Sequence, residues 1–134
     1  MGAVGTGVSM PGVNDYRFEG KLAFPDLSVA HYKATAQREG ILMATISSTT
    51  DNPNVDGYGS CACRILLNGK RVAASSGAWS GNVSDKRTFG ASAAANLVVH
   101  AGDEIGLYCE NSADHASYTA TVISTAGELN FVKT

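Results

Sequence analysis

Three histidines, His31, His100 and His115, are the residues on which acid–base or nucleophilic catalysis could be built in this chain of 134 residues. A common type of serine hydrolase holds its serine at the centre of a Gly-x-Ser-x-Gly turn, where a strained backbone exposes the hydroxyl. The nearest match, Gly77-Ala78-Trp79-Ser80-Gly81, places the serine one position late. His100 stands just before a Gly-Asp turn, where an exposed hydrogen-bonding role is far more common. We therefore expect no catalytic residue and no enzymatic activity.

The three cysteines are Cys61, Cys63 and Cys109. Cys61 and Cys63 are separated by one residue, whereas the cysteines of structural zinc sites are separated by two to four. Alternation along a strand puts both thiols on the same face as Ile65, and free cysteine packs as a small hydrophobe. An odd number of cysteines excludes a complete disulfide framework, and a reducing compartment is the simpler interpretation. We predict core packing, with a metal or redox role as the alternative, and no cofactor.

Residues 52–57, Asn-Pro-Asn-Val-Asp-Gly, have oxygen-bearing side chains at alternate positions and a glycine sixth, as in the first half of a calcium loop. The twelfth position of such a loop needs a bidentate glutamate, and here it is Cys63. A surface turn is the favoured interpretation, with a weak calcium site as the alternative.

Tyr58 and Trp79 fall in segments predicted to be loops, where recognition residues concentrate. They could contribute to an aromatic surface that binds a ligand such as a sugar. For Trp79, the single tryptophan of the chain, anchoring the packing of the core is the favoured interpretation.

Charged residues make up 16% of the chain and the net charge is −2. A nucleic-acid-binding protein usually carries a basic face, so we expect no nucleic-acid partner. No stretch reaches the roughly 18 apolar residues of a membrane span, and the first residues do not resemble a secretory signal, so we expect neither a membrane partner nor export. So few charges indicate either a surface covered by other subunits or a neutral polar β-protein.

Residues 1–14 carry no charged side chain and have glycines at positions 2, 5, 7 and 12. We predict an extended N-terminal arm, separate from a single domain over residues 15–134. Val4, Val8 and Met10 are the candidate anchors of this arm on a neighbouring subunit. The alternative is an unattached end.

The rest of the chain alternates strand and turn patterns. Strands are predicted over residues 29–36, 41–48, 60–68, 70–75, 117–125 and 127–133. Residues 49–59 and 76–87 are predicted to be connections. Asn68-Gly69 is a strong signal for a hairpin turn, since both residues tolerate a positive φ.

Residues 97–100 and 105–109 are predicted to form one half-buried antiparallel pair, joined by a Gly-Asp turn. In residues 41–48 apolar side chains occupy both faces, which indicates an inner strand or an outer face that meets another subunit. Several short strands at near-regular spacing predict an all-β fold, an antiparallel β-sandwich of the jelly-roll type.

The order of four segments resembles the globular head of the complement-component type, a jelly roll shared with tumour-necrosis-factor-like proteins. The segments are YKATAQREGILMATIS, CRILLNGKRVAASSG, ASAAANLVVHAGDEIGLY and STAGELNFVKT. The resemblance implies a compact trimer whose threefold axis is lined by one sheet face, and a function in recognition. With an uncharged arm and no secretory signal, the chain looks more like a viral structural protein than a secreted head.

We therefore expect a capsid decoration (cement) protein of a tailed bacteriophage, made in the host cytoplasm and bound to the capsid surface of the virion. Its expected partners are the major capsid protein and two further copies of itself in a homotrimer. Three weak contacts would then act together at high effective concentration. The alternative is a receptor- or carbohydrate-binding head of a phage tail fibre, which would use Tyr58 and Trp79.

Overall fold

The computed structural model describes residues 3–10, 13–22, 28–51, 57–81, 88–111 and 116–134, which form β-strands and their connections. In chain order the strands are β1 (Ala3–Met10), β2 (Val13–Leu22), β3 (Ser28–Thr35), β4 (Gly40–Asp51), β5 (Gly57–Leu67), β6 (Lys70–Gly81), β7 (Thr88–Val99), β8 (Glu104–Asn111), β9 (Ala116–Ser124) and β10 (Val132–Lys133). The described residues contain no helix, so none is long and apolar enough to cross a membrane.

Two five-stranded sheets contain these strands. Sheet I has the order β1-β2-β9-β4-β7, and sheet II has the order β10-β3-β8-β5-β6. Every pairing is antiparallel. Successive strands of the chain repeatedly change sheet, as in a jelly roll, so the predicted fold class is confirmed.

Side-chain alternation produces the core between the sheets. In β4, Leu42, Ala44 and Ile46 are buried, while Ile41 and Met43 are exposed on the other face. Tyr118, Ala120 and Val122 of β9 are buried in the same way, as are Ile105, Leu107 and Cys109 of β8. The half-buried alternation predicted for residues 105–109 is therefore confirmed, whereas for β4 and β9 the structure decides which of the two faces points inward.

Aromatic side chains fill the half of the core between β2, β9 and β3. The Phe18 and Tyr32 rings are 4.7 Å apart between centroids, and the Phe18 and Phe131 rings are 5.0 Å apart. The hydroxyls of Tyr32 in sheet II and Tyr118 in sheet I are hydrogen-bonded at 2.5 Å. Gly20 is paired with Tyr118, and a Cβ at position 20 would lie 2.8 Å from the Tyr118 hydroxyl oxygen. The glycine thus leaves the space that the Tyr118 ring occupies.

The Asn68-Gly69 turn joins β5 to β6, as predicted. Both residues have positive φ, 53° for Asn68 and 80° for Gly69, which is the requirement of a type I′ turn. Asn68 also fixes the neighbouring connection, since its amide donates to Asp103 Oδ1 at 3.0 Å and its Oδ1 accepts from Glu104 N at 2.9 Å.

The predicted pairing of residues 97–100 with residues 105–109 is wrong. β7 belongs to sheet I beside β4, and β8 belongs to sheet II between β3 and β5. The Gly-Asp turn crosses from one sheet to the other and is held by Ala36, which donates to Asp103 O at 2.8 Å and accepts from Gly102 N at 2.9 Å. Alternation shows that each strand has a buried face, but it does not identify the neighbour that receives its hydrogen bonds.

Several strands are longer than predicted. β4 continues to Asp51, β5 begins at Gly57 and β6 continues to Gly81, so the ends of both predicted connections are strand. Residues 52–56, which hold most of the calcium-loop-like stretch, lie outside the described residues. The Ser, Thr and Gly residues at these strand ends are types that are common in turns. They are extended here because each end pairs with a neighbouring strand in the folded sheet.

The N-terminal segment is paired within sheet I. β1 runs antiparallel to β2, from the pair Ala3 and Glu19 to the pair Met10 and Val13. The predicted boundary between residues 14 and 15 falls inside β2. The docking of this segment on a neighbouring subunit stays a prediction.

The Tyr32–Tyr118 hydrogen bond should contribute to stability because Tyr32 is fully buried and Tyr118 is 2% exposed. Tyr118→Phe leaves the Tyr32 hydroxyl buried without this partner and should lower the free energy of unfolding by about 1–3 kcal/mol. The double variant Tyr32→Phe/Tyr118→Phe should lose less than the sum of the two single variants, because no hydroxyl is then orphaned. Urea denaturation followed by circular dichroism measures both; additive losses would contradict the coupling.

Candidate functional site

The outer face of sheet I carries four large apolar side chains that are open to solvent. Their exposed fractions are 57% for Ile41, 46% for Met43, 62% for Val98 and 41% for Ile123. The register pairs Ile41 with Val98 and Met43 with Ile123, so three adjacent strands place them together. We call these four residues the apolar face.

The apolar face borders uncharged polar side chains along β4, β7 and β9. Among the described outward side chains of β4, β7 and β9, none is ionisable. Thr45 and Thr121, next along β4 and β9, are hydrogen-bonded to each other at 2.6 Å between their hydroxyl oxygens. Ionisable side chains begin on β2, where Asp15 is the ladder partner of Ile123, and where Arg17 and Glu19 form an exposed ion pair at 3.6 Å. An apolar centre with a polar rim is the usual anatomy of a protein–protein interface.

The outer face of sheet II has a different character. Tyr108 of β8 is paired with His31 of β3 on one side and with Arg64 of β5 on the other. The Arg64 guanidinium lies 4.8 Å from the Tyr108 ring centroid, and the Tyr108 hydroxyl donates to Glu110 Oε2 at 2.6 Å. Arg64 and Glu110 are 3.6 Å apart. We call His31, Arg64, Tyr108 and Glu110 the Tyr108 cluster.

The charges of the Tyr108 cluster are matched within it. Burial and the hydrogen bond to Glu110 raise the pKa of the Tyr108 phenol, and Arg64 partly offsets that rise. Since Arg64 contacts both the ring and the carboxylate, this face has its cation–π and ionic partners already in place. The apolar face of sheet I is the candidate functional site, because its large apolar side chains are exposed to solvent.

The two histidines within the described ranges, His31 and His100, have different neighbours. His31 is in the Tyr108 cluster, with its ring 5.5 Å from the Tyr108 ring in an edge-on arrangement. His100 is exposed after β7, 3.3 Å from Glu39 and 3.7 Å from Asp103. His115 lies outside the described residues. The expectation that the chain is not an enzyme stays a prediction.

The five predicted binding residues are placed only by their backbone, since their side chains lie outside the described part of the chain. Val4, Val8 and Met10 are in β1. Tyr58 and Trp79 are in β5 and β6 rather than in loops, which corrects the predicted location. The register pairs Tyr58 with Ser80 and Gly59 with Trp79. Their roles in binding stay predictions.

The cysteines are buried, as predicted. Cys61 is 2% exposed, and Cys63 and Cys109 are fully buried. Within the described ranges, no group of three or more metal-ligating side chains could hold an ion. The sequence did not indicate that Cys109 lies beside Cys63, because their strands become neighbours only in the folded sheet.

The apolar face was only partly visible in the sequence. Ile41 and Met43 were the signal, since apolar residues on both faces of one strand indicated a second contact surface. β4 is indeed an inner strand of sheet I, yet its outer face is exposed. The contributions of Val98 and Ile123 required the strand order β9-β4-β7.

No protein-family model matches the chain, and no curated protein matches it. Its structure is similar to the globular domain of zebrafish complement 1qA protein, with 13% identity, 66% of this chain and 64% of that chain covered, and a TM-score of 0.40. Murine APRIL matches with 10% identity, 90% of this chain and 91% of that chain covered, and a TM-score of 0.42.

Eiger TNF from S. frugiperda matches with 10% identity, 63% of this chain and 60% of that chain covered, and a TM-score of 0.36. The chain thus spans less than two thirds of the length of the complement domain and of Eiger. These likenesses concern the fold alone, and the jelly-roll assignment rests on the strand order given above.

The stability of the protein should depend on pH through His31. Burial lowers the pKa of His31, and Lys33 lowers it further, while Glu104 partly opposes both. The unfolded chain therefore binds a proton near pH 6.5 that the folded chain does not yet bind, so the free energy of unfolding should fall as the pH drops below about 6.5. An NMR titration of the imidazole should give a midpoint below that of a model peptide.

Two variants separate His31 from the other titrating groups. His31→Gln should reduce the pH dependence of the urea midpoint, and Lys33→Gln should raise the NMR midpoint of His31. A His31 midpoint at or above the model-peptide value would contradict the prediction.

Proposed function

We propose that this protein is a non-enzymatic structural component of a virion, a homotrimer that decorates and stabilises a viral capsid. The observation that carries the proposal is the apolar face on the outside of sheet I. Contiguous exposed apolar surface of this kind marks interaction sites in soluble proteins. It lies on regular strands, where the positions of its side chains are fixed by the ladder.

A second copy of the same chain is the partner that best suits the apolar face. Met43 and Ile123 are in the middle of the sheet, on paired strands, and no charge interrupts the surface between them. Burying the uncharged, Thr-containing surface of β4 and β9 costs little desolvation compared with burying ions, and the ionisable Asp15 of β2 lies at its border. A closed ring of three copies, the arrangement implied by the resemblance to complement and tumour-necrosis-factor-like heads, would remove this face from water in every copy.

The proposed contact with the capsid uses an edge of sheet I, at β1. β1 is an edge strand of that sheet, since its described neighbour is β2. An edge strand presents backbone N–H and C=O groups that can pair with an added strand of another protein. A trimer would present three such edges to the major capsid protein, so that individually weak contacts bind together at high effective concentration.

The trimer proposal predicts the effect of one charge on the apolar face. Met43→Glu places a carboxylate where the interface would exclude water, so the trimer should weaken by about a hundredfold or more. Size-exclusion chromatography with light scattering, over a range of protein concentrations, measures the change from trimer to monomer.

Val72→Glu is the matched control. Val72 is 42% exposed on β6 of sheet II, close to the 46% of Met43, and the substitution makes the same change in charge. The control should remain trimeric. A wild-type protein that is monomeric at micromolar concentration, or equal effects of the two substitutions, would overturn the proposed use of the apolar face.

The capsid contact is tested by removing residues 1–10, which deletes β1 and leaves β2, starting at Val13, complete. The shortened protein should remain a trimer but should lose most of its co-sedimentation with capsids of the virus that encodes it. Circular dichroism and light scattering verify the fold and the trimer. Unchanged co-sedimentation by a folded trimer would exclude β1 as the contact and leave the trimer proposal intact.

A further inference from the structure

Cys63 and Cys109 lie opposite each other inside the sandwich. They are direct partners in the β5–β8 ladder, and their Sγ atoms are 3.1 Å apart. Both residues are fully buried and both are free thiols. The Cys63 thiol also lies 3.4 Å from the carbonyl oxygen of Ala91, which belongs to β7 of the other sheet.

We propose that Cys63 and Cys109 are a redox modification site, at which a peroxide converts the two thiols into an intramolecular disulfide that links β5 to β8. The proposal is independent of the proposed function, since it requires neither a trimer nor a capsid.

The backbone geometry suits this bond. Directly opposite residues of antiparallel strands have Cα atoms roughly 4.5 or 5.5 Å apart, and disulfides span Cα distances of roughly 4.4–6.8 Å. The sulfur atoms must close from 3.1 Å to a bond of about 2.05 Å. That movement is within reach of small side-chain rotations and needs no change in the register of the sheet.

The register also selects which thiols react. Cys61 is two residues before Cys63, so its side chain points to the same face, and its ladder partner is Asn111. Cys109 therefore faces Cys63 directly and Cys61 only diagonally. The odd number of cysteines leaves Cys61 as the thiol that survives oxidation.

An open surface cavity lies beside the strands that carry these thiols. It has a volume of about 280 Å³, opens to solvent, and is lined by small residues: Ser47, Ser48, Thr49, Ser75, Gly90, Ala91 and Ser92. Ser75 is the β6 partner of Cys63, and the carbonyl oxygen of Ala91 contacts the Cys63 thiol. The cavity wall therefore contains neighbours of Cys63 on both sheets, and a small peroxide in the cavity needs only a local opening of the sandwich to reach the sulfur atoms.

The pair is also chemically asymmetric. The hydrogen bond from Cys63, together with a hydrogen bond from the Ser48 hydroxyl, lowers the pKa of the Cys109 thiol. The same contact and burial raise the pKa of Cys63. The Cys63 thiol also donates to the carbonyl oxygen of Ala91, a contact that requires its proton, so Cys109 is assigned as the thiolate, which is the nucleophile in such reactions.

The proposed oxidation has two steps. The Cys109 thiolate attacks one oxygen of hydrogen peroxide, the O–O bond breaks, and protonation of the leaving hydroxide gives a sulfenic acid and water. The Cys63 sulfur then attacks the sulfenic sulfur, loses its proton and displaces a second water. Two thiols and one peroxide give one disulfide and two waters, so the sulfur atoms are oxidised and the peroxide is reduced.

The experiment treats the folded, reduced wild-type protein with hydrogen peroxide, removes the oxidant, and then alkylates the denatured chain with N-ethylmaleimide. The number of labelled thiols should fall from three to one, and the unlabelled mass should fall by about 2 Da. Fragmentation of the linked peptides should assign the bond to Cys63 and Cys109. Thermal unfolding should shift upward by several degrees and return after reduction.

Two variants serve as a matched pair. Cys61→Ala should still form the bond, and Cys63→Ala should not. If Cys63→Ala does not fold, fragmentation of the oxidised wild-type protein identifies the linked cysteine. Cleavage on either side of Ala62 gives fragments that distinguish Cys61 from Cys63. Three labelled thiols after peroxide treatment, a bond to Cys61, or exclusively intermolecular bonds would overturn the proposal.

Discussion

The buried hydrogen bond between the Tyr32 and Tyr118 hydroxyls joins the two sheets, each of which is its own ladder of backbone hydrogen bonds. Around it, the Phe18 and Phe131 rings fill the space between β2, β9 and β3. The position of the Tyr118 ring depends on Gly20, which leaves room for it on the neighbouring strand. Sheet-on-sheet packing at this side therefore fixes how the faces of both sheets are presented to solvent.

The other half of the core is built from smaller side chains. Cys61, Cys63 and Cys109 of sheet II face Ala91 and Ala93 of sheet I, and Ser48 is buried among them. Small side chains allow the backbones to approach closely, and they bring polar atoms into the interior with their partners. The thiol pair and the cavity beside it both result from this local choice of residue size.

The outer faces of the two sheets differ in the contacts that their side chains make within the chain. On sheet II, Arg64, Tyr108 and Glu110 bind one another, so the charges on that face are matched within the chain. On sheet I, Ile41 and Met43 have water where a partner would fit. The proposed function therefore rests on the exposed apolar side chains of sheet I.

The sequence by itself determined the fold class, the type I′ turn at Asn68-Gly69 and the apolar side of β8, because alternation and turn chemistry are local properties. It also indicated a second contact surface through Ile41 and Met43. Only the tertiary structure decided that β7 and β8 belong to different sheets, that Val98 and Ile123 complete the apolar face, and that Cys63 meets Cys109. These facts depend on which strands become neighbours, and strand order is set by packing between distant segments rather than by any local pattern.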